Sequence, residues 1–181
     1  MAITFTNSPR NDWCLFRFVV TNWSDNNQRK RESVILIENL ISEIETNQKR
    51  LENVIGYHTM LRDSSRFYSD IKSEIKRPNF FEGTRVLKLT NSAYNTGIQT
   101  GVINELSIEK IQAINQLYTF QNDYNEFGNI MMASLINKDF SDDEEDVRKI
   151  ARFLAVTMTD IVIMENYLME GYKSIKSKLE L

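Results

Sequence analysis

The sequence predicts an all-α protein, an antiparallel helical bundle of three long helices plus a short helix. Its 181 residues include only six Gly and two Pro, which argues against disorder and against loop-rich β architectures. From residue 25 onward, apolar residues recur at alternating steps of three and four, the period of a helix with one buried face. We therefore expect one helical-bundle domain over residues 25–181, preceded by an N-terminal extension over residues 1–24.

The first long helix is predicted to run from about Asp25 towards Lys76. Pro78 sets its end, because the residue before a proline is disfavoured in the helical conformation. One heptad-like row of this helix is predicted to face the core. The row consists of Val34, Ile37, Ile41, Ile44, Gln48, Leu51, Ile55 and His58.

The middle of the chain, residues 78–107, is interrupted by one proline and three of the six glycines. Thr90 is predicted to cap a short helix over Asn91–Gln99, and Gly101 is predicted to end it in the left-handed conformation. Ser107 is predicted to cap the second long helix. Its buried row is expected to be Ile114, Leu117, Gln121, Tyr124, Gly128, Met131 and Leu135.

The last helix has the clearest predicted start. Residues 141–144, Ser-Asp-Asp-Glu, match a capping box, and the acidic side chains that follow suit the positive end of a helix dipole. The predicted buried row is Val147, Ala151, Leu154, Met158, Ile161, Glu165, Leu168, Tyr172, Ile175 and Leu179. A second apolar flank is expected to widen the buried face, and it consists of Ile150, Phe153, Val156, Ile163 and Tyr167.

Two charged clusters, Arg29–Arg31 and Asp142–Asp146, lie near the predicted starts of the first and last helices. If the three long helices alternate in direction, both starts lie at the same end of the bundle. We therefore predict that the two clusters face and balance each other. The acidic cluster lacks the Gly and the spaced oxygen ligands of a calcium loop, so helix-start electrostatics is the favoured interpretation.

Composition excludes several classes of site. The chain has one cysteine, Cys14, and one histidine, His58, so an intramolecular disulfide, a Cys-rich metal site and a paired-imidazole site are all excluded. A net charge of −3 and a pI near 5.3 argue against a nucleic-acid binder. The sequence contains no Gly-rich phosphate loop, nucleophile elbow or paired-His zinc motif. We expect no cofactor, no metal and no nucleic-acid partner.

Polar residues interrupt the predicted apolar rows at Gln48, Gln121 and Glu165, and His58 ends the first row. Together they predict a polar layer inside the bundle. Such a layer can fix the register of the helices or bind a small ligand, and the sequence leaves both alternatives open. We take His58, Gln121 and Glu165 as candidate ligand-binding residues, with a hydrogen-bonded core role as the alternative for each.

Two stretches carry a resemblance to a known group of proteins. The first is Asn22–Arg31 leading into Leu36–Leu40, and the second runs from Ser92–Gly97 through Thr100-Gly101 to Leu117-Tyr118 and Tyr124-Asn125. About two thirds of the chain thereby resembles an uncharacterised bacterial family of small helical proteins with a single N-terminal membrane anchor. No activity, cofactor or catalytic residue is implied by the resemblance.

The resemblance implies that Phe16–Val20 is the end of an anchor, most of which is absent here. The apolar stretch Trp13–Val20 has eight residues and includes Arg17, whereas a spanning helix needs ~18–20 apolar residues. The chain is therefore either a soluble relative or has its true start upstream of Met1. Trp23, Arg29, Lys30 and Arg31 are then expected beside a membrane surface, where an amphipathic Trp and basic side chains are favoured; a packed Trp and a solvated helix start are the alternative.

The first function hypothesis is a non-enzymatic helical interaction or scaffold domain of unknown process at the cell envelope, which self-associates or binds a protein partner. Phe67, Phe80 and Phe81 are its expected exposed aromatics. The alternative is a small-molecule sensor with a ligand inside the bundle, and an enzyme of unrecognised type ranks third because no catalytic constellation is visible. The protein is expected to be membrane-associated if the resemblance holds and cytoplasmic otherwise.

Overall fold

Three long helices and one short helix form the described part of the chain. The computed structural model describes residues 9–70, 81–138 and 140–180, with side chains from residue 27 onward. The helices are α1 (Pro9–Asp70), α2 (Ser92–Thr100), α3 (Ile108–Ile136) and α4 (Glu144–Leu179), with a 3₁₀ turn at Val102–Glu105 between α2 and α3. Within these ranges there is no strand, and the predicted all-α fold is confirmed.

Helix α1 begins at Pro9, so the predicted start near Asp25 is wrong. Proline is favoured in the first turn of a helix because the amide it lacks has no intrahelical partner there. The helix continues without a break through residues 24 and 25. The predicted end towards Lys76 lies outside the described residues.

Helix α2 starts one residue later than predicted, at Ser92 instead of Asn91. Asn91 precedes the helix and makes no side-chain capping bond, while the Thr90 hydroxyl donates to Asn47 Oδ1 at 3.1 Å. Thr90 is therefore bound to α1 instead of capping α2. Gly101 ends α2 with φ 72°, and Ser107 Oγ accepts the Lys110 amide at 3.4 Å, so these two predictions are confirmed.

The start of α4 also lies later than its capping-box pattern suggests. Asp143, not Ser141, is the capping residue, and its carboxylate accepts the Glu145 amide at 2.9 Å. Ser141 donates instead to Asp146 Oδ2 at 2.6 Å. The short acidic side chain nearest to the first helical amides thus forms the cap.

The predicted rows of α3 and α4 are buried at every position. The flank predicted for α4 is wrong at three positions, because Val156, Ile163 and Tyr167 are exposed. In α1 the buried face is displaced from the predicted row, so that Val34 is exposed and Gln48 is half-buried. Its buried positions include Leu36, Leu40, Glu43, Ile44, Asn47, Leu51, His58, Leu61 and Ser65.

The long helices do not simply alternate in direction. Helix α4 is antiparallel to α1, as three side-chain contacts indicate: Glu45 with Lys176, His58 with Glu165, and Arg66 with Thr159. It is also antiparallel to α3, because Gln121 contacts Tyr172 and Tyr124 contacts Glu165. Helices α1 and α3 are therefore parallel to each other.

The charged clusters consequently lie at opposite ends of the bundle, and the prediction that they face each other is wrong. Arg29 forms an ion pair of 3.1 Å with Glu105 of the 3₁₀ turn. The acidic residues at the start of α4 pair within their own helix, Glu144 with Arg148 and Asp146 with Lys149. The ion pairs described for each cluster are therefore local.

An irregular stretch, residues 81–91, makes the parallel arrangement possible, and we call it the return segment. It contacts α1 first at Tyr57, which donates to the Gly83 carbonyl at 2.6 Å, and then at Asn47, further towards the start of α1. Helix α2 continues in this direction, where Gly97 packs against Leu36. The chain thus returns along α1 before α3 begins.

Candidate functional site

The three candidate ligand-binding residues are all in the core. His58, Gln121 and Glu165 each have no solvent exposure. The structure brings His58 and Glu165 together with Tyr124, and we call these three residues the histidine cluster. Gln121 belongs to a second cluster, so the predicted polar layer consists of separate groups.

The histidine cluster joins all three long helices. His58 Nδ1 lies 2.7 Å from Glu165 Oε1, and the Tyr124 hydroxyl donates to the same oxygen at 2.9 Å. Two atoms of the cluster, His58 Nε2 and Glu165 Oε2, have no hydrogen-bond partner among the described residues. Buried polar atoms normally have partners, so these two atoms are the chemically unusual feature of the core.

Gln121 lies in an amide cluster with Asn47, Thr90 and Tyr172. Asn47 donates to the Thr90 carbonyl at 2.7 Å and accepts the Thr90 amide at 3.0 Å. Gln121 donates to the same carbonyl at 2.8 Å, and Tyr172 donates to Gln121 Oε1 at 2.5 Å. The amide side chains therefore bind the main chain of the return segment, which has no strand neighbour to supply these bonds.

The same pair of bonds, from a side-chain amide to main-chain N–H and C=O groups, recurs at Leu89, one residue before Thr90. Asn125 of α3 accepts the Leu89 amide at 2.8 Å and donates to the Leu89 carbonyl at 3.0 Å. Gln48, predicted to join the polar layer, instead donates to Glu52 at 3.0 Å on the surface of α1. The register-fixing alternative thus describes Gln121 well, and Asn47 takes the place expected for Gln48.

A third cluster surrounds Glu43, a buried carboxylate that sequence analysis missed. Its Oε1 accepts from the Tyr118 hydroxyl at 2.8 Å, and its Oε2 accepts from the Ser92 hydroxyl at 2.8 Å and the Ala93 amide at 2.9 Å. The ring of Tyr94 stacks on Tyr118 with 4.5 Å between centroids. Glu43 therefore caps the first turn of α2 from another helix, a favourable position for a carboxylate.

Three buried tyrosines share one electrostatic property. Burial raises the pKa of the Tyr118 and Tyr172 hydroxyls well above the usual range, and the nearby carboxylate of Glu43 raises both further. Burial, followed by the Glu165 carboxyl group, does the same to the pKa of Tyr124. All three phenols are accordingly neutral hydrogen-bond donors near neutral pH.

The chemical capacity of these clusters is limited by their closure. A histidine hydrogen-bonded to a carboxyl group can act as a general base, but His58 and Glu165 are fully covered by protein. No group of three or more His, Cys, Asp or Glu side chains suited to a metal occurs in the described ranges. The arrangement is suited to holding helices in register.

The N-terminal candidates lie on or before the exposed part of α1. Arg29, Lys30 and Arg31 are exposed, and Val34 and Ile35 beside them are each 55% exposed. Trp23 lies in α1, but its side chain lies outside the described part. Among residues 9–70, 81–138 and 140–180, no helix has both the length and the apolar character needed to cross a bilayer.

The expected exposed aromatics have mixed outcomes. Phe67 is 65% exposed, whereas Phe81 is half-buried against the core and Phe80 lies outside the described residues. A stronger apolar surface lies on α4, where Val156, Ile163 and Tyr167 follow at steps of seven and four and are 65%, 48% and 63% exposed. We call these three residues the α4 outward row. Their helical spacing was visible in the sequence, but it does not distinguish a buried flank from an exposed one.

A groove between α3 and α4 adjoins the α4 outward row. It has a volume of about 440 Å³ and is lined in part by Phe120, Tyr167 and Gly171. The rings of Phe120 and Tyr167 meet edge to face at 6.0 Å between centroids. This contact makes the groove and the α4 outward row one continuous apolar surface.

Comparisons with known proteins give no match: no family model, no curated protein and no solved structure resembles the chain.

Proposed function

We propose that the chain is a non-enzymatic helical interaction domain that binds its partner through the outward face of α4. The observation that carries this proposal is the exposure of the α4 outward row. Val156, Ile163 and Tyr167 lie opposite the buried row of the same helix, so they face away from the packed core of the described residues, and each remains at least 48% exposed. Apolar side chains in one exposed row are typical of surfaces that are covered on binding.

The groove beside Phe120 supports the same proposal. Gly171 lines it, and a Cβ at this position would lie 3.0 Å from Leu117 Cδ1, so this glycine allows α3 and α4 to approach each other closely. Through the contact between Phe120 and Tyr167, the groove extends the apolar surface of the α4 outward row. The buried polar clusters favour a structural role for the core, since each joins helices and is closed to substrates.

Photo-crosslinking tests the proposed surface. A photoreactive amino acid at Ile163 should yield a crosslinked species of higher mass in cells that express the protein, because this position lies in the middle of the α4 outward row. Lys173 provides the matched control, since it is exposed on the same helix but on another face. Equal yields at the two positions would contradict the proposal.

The resemblance to membrane-anchored bacterial proteins adds a location to the proposal, namely the cell envelope. The exposed Lys30, Arg31, Val34 and Ile35 combine basic and apolar side chains, a combination that favours an anionic membrane surface. Fractionation of the protein expressed from its own locus, with its intact mass determined, tests this. We expect it in the membrane fraction, and recovery of the 181 residues in the soluble fraction alone would contradict envelope association.

The second candidate function is a small-molecule sensor, which is favoured by the unpartnered His58 Nε2 and Glu165 Oε2. Because both residues are fully covered by protein, a polar ligand would reach these atoms only in a conformation that opens the core. Such a ligand should raise the Tm of the wild-type protein and not that of Glu165→Leu. If no member of a metabolite library raises the wild-type Tm, this candidate is rejected.

A further inference from the structure

The surface of α4 has an internal symmetry that suggests which partner it fits. Measured along the helix at 1.5 Å per residue, Val156 and Tyr167 lie at equal distances, about 8 Å, on either side of a point between Ile161 and Val162. Ile163 lies beside this point. Reversing the helix about this point therefore exchanges Val156 with Tyr167, so the two ends of the row match each other, while Ile163 comes level with Asp160.

Two charged residues flank the row at similar distances from the midpoint, a basic residue on one side and an acidic residue on the other. Arg152 lies about 14 Å from the midpoint on one side, and Glu170 lies about 13 Å from it on the other. These two residues are about five full turns apart, so they project along the same edge of the row.

We propose that the partner of the α4 outward row is a second copy of this chain, bound through antiparallel α4 helices about a two-fold axis between Ile161 and Val162. This inference rests on the proposed function. In this arrangement Val156 contacts Tyr167 of the other copy, and Arg152 pairs with Glu170 of the other copy. A two-fold interface requires such self-complementarity, with each contact made twice.

One residue opposes the arrangement and thereby makes it more testable. Asp160 lies near the proposed axis, on the edge opposite to Arg152, where it approaches Asp160 of the second copy. Like charges across an interface weaken binding. Because the apolar area is small, we infer a weak dimer that dissociates in the micromolar range or above.

A charge exchange on the full chain tests the geometry, with dissociation constants measured by sedimentation equilibrium. The single variants Arg152→Glu and Glu170→Arg should each weaken the dimer at least tenfold, since each places like charges together twice. The double variant R152E/E170R should restore the dissociation constant to within about threefold of the wild type. Asp160→Asn should tighten the dimer. Lys173→Glu, which makes the same charge change on another face of α4, should leave it unchanged.

The outcomes separate this inference from the proposed function. If the double variant stays as weak as the single variants, or if the wild type is monomeric at every concentration, the second copy is not the partner. Crosslinking from Ile163 to a different protein would then retain the proposed function and overturn the dimer. Absence of any crosslink from Ile163 would overturn both.

Discussion

Two carboxyl side chains, Glu43 and Glu165, are buried in the described core, and each accepts a hydrogen bond from a tyrosine hydroxyl. Both oxygens of Glu43 accept hydrogen bonds, from Tyr118, Ser92 and the Ala93 amide. In Glu165, only Oε1 has hydrogen-bond partners. Apolar periodicity locates Glu165, because it interrupts a clear row. It does not locate Glu43, because the bonds that make its burial favourable come from residues far away in the sequence.

The contact between His58 and Glu165 can be tested with a variant and its compensating partner. His58→Leu should destabilise the protein by about 3 kcal/mol, because it leaves a buried carboxyl group with fewer partners. The double variant H58L/E165L should recover about half of this loss, since the Tyr124 hydroxyl alone is then left without its acceptor. Urea unfolding measures both, and a double variant less stable than H58L would contradict the assignment.

Alkaline pH should unfold the protein through its three buried tyrosines. Burial raises the pKa of Tyr118, Tyr124 and Tyr172 above the unfolded value of about 10. Their contribution to stability is therefore fully present below pH 10 and is lost as the pH rises, because the unfolded state ionises first. The loss is about 1.4 kcal/mol per tyrosine and pH unit.

Absorbance at 295 nm and circular dichroism, recorded together from pH 8 to 13, measure this effect. Three of the seven tyrosines should ionise together with the loss of helical signal. Ionisation of all seven while the helical signal persists would contradict the buried positions.

At the scale of elements, the return segment explains why the core contains so many amides. Asn47, Gln121 and Asn125 supply the main-chain bonds that a neighbouring strand supplies in a sheet. The buried rows of α3 and α4 could be predicted, because each helix buries one face. The buried row of α1 could not be predicted, because this helix also packs against the return segment and α2. Polar side chains of α1 are favoured there, since they form hydrogen bonds with the main chain of both.

Asn47 and its neighbour Gln48 form a matched pair for testing this role. Asn47→Ala should cost about 2–3 kcal/mol, because the half-buried Thr90 amide is left without an acceptor. Gln48→Ala removes one bond on the surface, to Glu52, and should change stability by less than about 0.5 kcal/mol. Urea unfolding gives both values, and hydrogen exchange at Thr90 should accelerate in the first variant alone. Equal effects of the two substitutions on stability would contradict the assignment of Asn47, and not Gln48, to the buried face of α1.

Two helical glycines should respond in opposite directions to the same substitution. Gly56→Ala should stabilise the protein by about 0.5–1 kcal/mol, because nothing lies within 4 Å of the added Cβ and alanine favours the helix. Gly128→Ala should destabilise it by about 1–2 kcal/mol, because the Cβ would lie 2.7 Å from Val86 Cγ1 of the return segment. Thermal unfolding measures both, and stabilisation by Gly128→Ala would place Val86 elsewhere.

At the scale of the whole molecule, the direction of the helices differs from the expected alternation. The sequence indicates three long helices and an interrupted region, but it does not show that this region returns along α1 without forming a helix of its own before α2. That path depends on contacts between residues more than 35 positions apart, such as Asn47 with Thr90 and Leu89 with Asn125. The helices themselves could therefore be predicted, and their order in space could not.

Distance measurements across the bundle test this arrangement directly. Spin labels at Lys30 and Glu144 should be roughly 75 Å apart, given the Arg66–Thr159 contact and a rise of 1.5 Å per residue. Electron paramagnetic resonance on the deuterated protein resolves such a distance. A separation below about 40 Å would mean that the two charged clusters lie at the same end after all.

The pairing of α1, the first helix, with α4, the last, has a consequence for synthesis on the ribosome. Helix α1 ends at Asp70, but α4, which covers most of its buried face, is complete only at Leu179. At about 5–20 residues per second, α1 waits roughly 5–20 s for its partner after it leaves the exit tunnel. During this interval the side of α1 that meets α4, from Glu45 through His58 to Arg66, remains uncovered, so the nascent chain is a natural client for holding chaperones, and slower translation would prolong that dependence.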